Sequence, residues 1–194
     1  MRTSKLLIVI ALVAGVLGGS ARADTARFSD PDDTPGRFDV KAVQQAHDGA
    51  RLIHSVRTYE RWDSSSLGGE ESYVGFYLDA GAEGRQADRF IWVRYEEGRG
   101  LYAEIFRPGV HATGERLGSV RVSRPDRHSV RVAPRLSQLS KGIRNGYTWR
   151  VTTSFEKSTT GGPCGQDNEP SSFPTGRCVD NVPGVRKDGF AHEL

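Results

Sequence analysis

The chain has 194 residues, 27 Lys and Arg against 24 Asp and Glu, and enough aromatic residues (three Trp, six Tyr, eight Phe) to exclude a disordered polymer. The formal charge of +3 is carried by Arg2, Lys5 and Arg22, because no acid occurs before Asp24. From Asp24 onward 24 basic residues (27 less 3) face 24 acidic ones, which excludes a global pull toward nucleic acid or anionic membrane.

The same leader has the build of an export signal. Arg2 and Lys5 precede an apolar run from Leu6 to Leu17, and Ala21-Arg22-Ala23 supplies a small-x-small cleavage site. A membrane span needs about 20 apolar residues, so this shorter run predicts a signal peptide over residues 1–23, cleaved after Ala23, and no stable membrane insertion afterwards. Residues 24–194 then form one secreted domain. The two cysteines, Cys164 and Cys178, are expected to pair in an oxidising compartment. A loop of about 14 residues closed this way is worth about 3 kcal/mol in the chain-entropy model.

Short strands follow one another along the chain. Phe38, Val40 and Val43 open the first and Asp48-Gly49 ends it; Ala50 to Tyr59 makes the second. After the polar stretch Ser64–Glu70, Tyr73 to Leu78 alternates, with Val74, Phe76 and Leu78 on one face and Tyr73 and Tyr77 on the other. Phe90–Tyr95 is apolar on both faces and reads as central, and Leu101–Phe106 follows it. Leu117–Val122 and His128–Val132 flank the turn Arg124-Pro125-Asp126-Arg127. Pro134–Lys141 offers one helical turn, and Tyr147, Trp149, Val151, Thr153 and Phe155 make the longest period-2 run. From Glu156 the composition turns to Gly, Pro, Ser and Asn, predicting a loop-rich extension over 157–194. About eight strands and at most one short helix predict an all-β antiparallel sandwich, jelly-roll-like, with a barrel as the alternative.

The densest chemistry lies at Asp30-Pro31-Asp32-Asp33-Thr34-Pro35-Gly36-Arg37-Phe38-Asp39. Four carboxylates at short, irregular spacing suit a hard cation such as calcium, which takes six to eight oxygens and tolerates loop ligands. Two prolines stiffen the loop and reduce the entropy lost on wrapping an ion. Asp30, Asp32, Asp33 and Asp39 are the candidate ligands, joined by Asp180 if the chain ends meet; the same pattern also serves a solvated turn. Asp79, Glu83 and Asp88 form a weaker oxygen cluster. Trp62, Tyr73, Tyr77, Trp92 and Tyr102 are candidates for a stacking surface, since the C–H face of a sugar complements an aromatic π-face; core packing is the alternative for each. No nucleophile motif, phosphate loop or His pair at ligand spacing occurs, so no catalytic residue is assigned.

The order Asp-Pro-x-Asp-x-x-x-Gly-x-x-Asp-Val, then Asp-Gly-x-x-Leu and a strand ending in Tyr-x-Arg-Trp, resembles secreted bacterial β-sandwich domains of the DOMON type. It also resembles calcium-bearing carbohydrate-binding modules, over residues 30–155. Arg124-Pro125-Asp126-Arg127 and the cysteine pair are similar to exported actinobacterial proteins without an assigned function. The resemblance implies a sandwich with a structural ion and ligand binding in place of catalysis. Haem, which some DOMON domains bind through Met or His, is not implied, since the only Met is Met1. The expected function is a secreted module binding a glycan or another cell-envelope component. A hydrolase of wall polymer and a protein-interaction or structural envelope protein are the alternatives.

Overall fold

The computed structural model describes residues 25–34, 36–48, 51–70, 72–80, 88–108, 114–156, 177–183 and 190–192. The expected leader and its cleavage site, Glu83, and Cys164 lie outside them. Cys178 is buried on a strand, but the bridge expected of it falls outside the described residues with its partner.

All eleven strands join one antiparallel sheet: β1 (Thr25–Ser29), β2 (Val40–Asp48), β3 (Arg51–Thr58), β4 (Tyr73–Asp79), β5 (Arg89–Glu96), β6 (Gly100–Arg107), β7 (Glu115–Ser123), β8 (Ser129–Ala133), β9 (Tyr147–Glu156), β10 (Arg177–Val182) and β11 (Phe190–His192). Their order is β1-β2-β3-β8-β7-β6-β5-β4-β9-β10, with β11 also on β9. The all-β antiparallel class holds, but the two-sheet jelly roll does not. β7 is the reason. Its first part pairs with β6, from Val120↔Ala103 to Glu115↔Arg107, and its end pairs with β8, from Arg121↔Ala133 to Ser123↔Arg131. One strand thereby belongs to both halves, and the sheet curls into a half-barrel. Alternation cannot distinguish the two architectures, because both bury every second residue.

The inward residues are those with the apolar period. Val40, Val43, Leu52 and Val56 of β2 and β3 face Val74, Phe76, Leu78, Ile91, Val93, Ile105, Trp149 and Val151 across the core. His54 crosses it too: its ring lies 4.6 Å from Trp149, and its Nε2 is 3.1 Å from the Tyr147 hydroxyl. Leu67, in a 3₁₀ turn at Ser64–Leu67, and Leu139 and Ile143 in the β8–β9 connection are also buried in it. The expected helical turn is a short 3₁₀ segment, Leu136–Gln138, and no α-helix occurs among the described residues.

The stretch expected to be irregular after Glu156 supplies two strands instead. β10 pairs with β9 from Arg177↔Glu156 to Val182↔Val151. Its Gly- and Pro-rich surroundings conceal a strand whose partner is the long β9. This pairing carries Asp180 back to the start of the domain.

Candidate functional site

The loop before β2 turns its carboxylates inward by local hydrogen bonding. Thr34 N–H donates to Asp39 Oδ1 (3.3 Å), and the Tyr59 hydroxyl donates to the Asp30 carbonyl (2.7 Å). Gly36 makes the turn with φ +117°, and any Cβ there would run into the Phe155 ring. From β10, Asp180 Oδ2 accepts the Val40 N–H at 2.7 Å, a contact across 140 residues of sequence. Thr153 Oγ1 donates to the Phe38 carbonyl at 2.7 Å beside it. Carboxylate oxygens of Asp30, Asp33 and Asp180 consequently lie within 4.8 Å of one another. This partly buried cluster could hold a metal ion.

Asp39 and Asp32 extend the cluster. Asp39 is 1% exposed, and its Oδ2 meets no hydrogen-bond donor. The Asp32 side chain stands within hydrogen-bonding reach of it. Two carboxylates so placed need a proton or a cation between them. Burial first, then Asp32 and the charge of Asp180, push Asp39 up to about 7, against the Thr34 N–H. Burial also pushes Asp180 up to about 7, opposed by the Val40 N–H and reinforced by Asp30 and Asp33. Burial and the surrounding Asp residues raise the Tyr59 phenol. No Lys or Arg forms an ion pair with Asp32, Asp33, Asp39 or Asp180 among the described residues. The donor set is hard oxygen throughout, as calcium requires.

The second region is the outer face of β4, β5 and β6. Tyr73 and Tyr77 project there, as alternation predicts, with Phe90 and Trp92 of β5 and Phe106 of β6, all half-buried. Their rings form a continuous layer: Tyr77–Phe90 centroids are 4.6 Å apart, Tyr73–Trp92 5.7 Å, and Trp92–Phe106 and Phe90–Trp92 6.2 Å each. Gly75 sits beneath them. A Cβ at Gly75 would come within 2.7 Å of Phe90 Cε2, so the glycine lets the ring lie down on the sheet. Arg94 covers Trp92 at 4.9 Å and Arg150 covers Tyr77 at 4.7 Å. Tyr102 lies on the same face under Arg99, at 3.7 Å. With Arg94, Ser65 and Gly68, it lines an open groove of about 560 Å³.

Trp62 does not belong to this face. It is 3% exposed, packs 5.1 Å from Phe38 in the core, and is covered by Arg124 at 3.8 Å. Arg124 Nη2 also donates to the Trp62 carbonyl at 2.6 Å, so the expected stacking residue is a structural one. Phe90, Phe106 and the arginines were missing from the sequence reading. The signal for the rings is their alternation with Ile91, Val93 and Ile105; nothing local marks Arg150 as lying opposite Tyr77.

Asp88, Glu104 and Asp126, outside the main cluster, are engaged. Asp88 Oδ2 accepts the Ala80 N–H at 2.9 Å. Glu104 takes Arg99 at 3.1 Å and Arg116 at 3.0 Å, and these partners lower it despite burial. Asp126, in the Arg-Pro-Asp-Arg turn, is held at about 2: burial opposes ionisation, but the His128 N–H and Arg57 outweigh it. Its Arg57 contact, at 2.6 Å, staples that turn to β3.

No family model and no curated protein matches this chain.

Proposed function

We propose that this is a secreted ligand-binding domain. Its outer aromatic face stacks on a carbohydrate or another cell-envelope component, and a structural calcium ion occupies the Asp30, Asp32, Asp33, Asp39 and Asp180 cluster. One observation carries the binding reading: Tyr73, Tyr77, Phe90, Trp92 and Phe106 gather on a single outer face where a core has no use for them. Half-exposed rings that pack on each other in tilted and edge-to-face pairs are held in place, which reduces the entropy lost on stacking a ligand. The resemblance of the Asp30–Val40 opening to calcium-bearing carbohydrate-binding modules points the same way, as does the leader to export. The hydrolase alternative gains nothing from Glu104, which two arginines already neutralise.

The calcium reading rests on the Asp30, Asp33 and Asp180 oxygens gathered within 4.8 Å of one another, with buried Asp39, whose Oδ2 meets no donor, as the further candidate. Bound there, the ion would supply positive charge and oxygen coordination and take no part in chemistry. The loop acids and Asp180 would hold it.

Glycan-array and cell-wall pull-down assays of residues 24–194 test the binding reading, with Tyr77→Ala beside the parent chain. Removing one stacked ring is expected to weaken binding about tenfold, the equivalent of about 1.4 kcal/mol. Failure of the parent chain to bind any polymer would sink the carbohydrate reading.

A further inference from the structure

The outward surface of the curled sheet changes character along the strand order. β4, β5 and β6 carry the aromatic layer, whereas β1, β2, β3, β8 and β7 carry arginines. The register sets one row straight across them: Arg27 lies opposite Gln44, Gln44 opposite Ser55, Ser55 opposite Arg131, and Arg131 opposite Ser123. Arg121, two residues before Ser123, stands on the same face opposite Ala133, which makes it the diagonal neighbour of Arg131 at about 7–8 Å. Arg135, two residues beyond Ala133, is bridged to Arg51 of β3. Arg27, Arg121, Arg131 and Arg135 are exposed, and Arg51 is half-buried.

These charges are not balanced by the fold. None of the five arginines forms an ion pair or covers an aromatic ring among the described residues. Arg51 Nη1 donates to the Ala133 carbonyl at 3.2 Å, a neutral acceptor. The only acids in these five strands are Asp48 and Glu115, both at strand ends, and Glu115 is held by Arg107 at 2.6 Å. Arg51 opposite Arg135 sets like charges on neighbouring segments, which is destabilising without an anion between them. The chain from Asp24 onward is neutral overall, so this excess comes from placement and not from composition.

We propose that the arginine face binds an anionic polysaccharide, laid across β1, β2, β3, β8 and β7 with its acidic groups on the guanidinium groups. A guanidinium takes a carboxylate through two parallel hydrogen bonds. Gln44, Ser55 and Ser123 alternate with the arginines and supply donors and acceptors for sugar hydroxyls. Other polyanions find less here. The outward positions of these strands hold no aromatic side chain on which a nucleobase could stack, and no large apolar one except Ile53 to enter a bilayer. The surface shares no residue with the aromatic face proposed above, so either can fail alone.

Titration calorimetry of residues 24–194 with polygalacturonate, at about 50 and about 200 mM sodium chloride, tests this. Binding is expected at the lower salt and should weaken about tenfold or more at the higher. The double variant Arg121→Gln, Arg131→Gln should bind about tenfold more weakly with its melting midpoint unchanged, because both side chains are exposed. Tyr77→Ala should bind polygalacturonate as the parent chain does. No binding at the lower salt would overturn the proposal, and so would a loss in Tyr77→Ala equal to that of the arginine pair. Duplex DNA, or vesicles of phosphatidylglycerol, bound more tightly than polygalacturonate at the same salt would overturn the choice of ligand.

Discussion

The acid cluster and the aromatic face are built by opposite means. The cluster gathers oxygens from a loop and from a strand far along the chain, and what it gathers is in conflict. The face comes from adjacent strands in register, and it is satisfied: rings lie on rings, Phe90 lies on Gly75, and arginines lie on Trp92 and Tyr77. A region in conflict transmits its ligand to the stability of the fold. A region already satisfied can gain or lose a ligand with little change elsewhere, which is what a binding surface needs.

The largest expected effect tests the first half of that contrast. At pH 8, calcium at a hundredfold excess over its dissociation constant should add about 2.7 kcal/mol. For a chain of this size that is about 5–10 °C in a scanning-calorimetry midpoint against EDTA. The pH dependence has a definite sign. Asp39 and Asp180 sit near 7 when folded, above the ordinary 3.8, so the calcium-free fold binds more protons than the unfolded chain. The contribution of these two groups to its stability is fully present below about pH 4 and is lost as pH rises through 7, while the calcium increment grows over the same window. A calcium-free midpoint that rises from pH 5 to pH 8 would contradict the charge conflict.

Next in size, Asp39→Asn should reverse sign with conditions. In EDTA at pH 8 the variant relieves the facing carboxyls and keeps an acceptor for Thr34 N–H. Its midpoint should rise by about 2–4 °C per kcal/mol relieved. In calcium it should lose most of the ion's increment. Equal shifts in both media would mean that Asp39 does not feel the ion.

The last test belongs to the aromatic face. Gly75→Ala forces the Phe90 ring off the sheet, and overpacking of this kind costs about 1–3 kcal/mol. Thermal melts should show that cost unchanged by calcium or EDTA. A calcium-dependent penalty would mean that the two regions are coupled after all.

The parts legible in the sequence are those with local causes. Strict alternation marked β4 and β9 and placed Trp149 in the core, where it is 1% exposed. Asp48-Gly49 and the Arg-Pro-Asp-Arg turn marked hairpins, and these join β2 to β3 and β7 to β8. The Asp residues of the cluster announced themselves by crowding. Illegible were the features decided at a distance. Trp62, in the connection after β3, reads as an exposed tryptophan until Arg124 and Phe38 enclose it. β10 has too few apolar residues to reveal itself without β9. The joining of two halves through β7 depends on where its partners stop, which no periodicity records.

The strand order also fixes when the protein can form. β3 is completed by β8, with Val56 opposite Val130, so the inner strand waits for residues more than seventy positions later. Until they are made, β3 presents an unpaired edge and an apolar row of Leu52 and Val56. Long-range pairing of this kind folds slowly and exposes the chain to aggregation meanwhile.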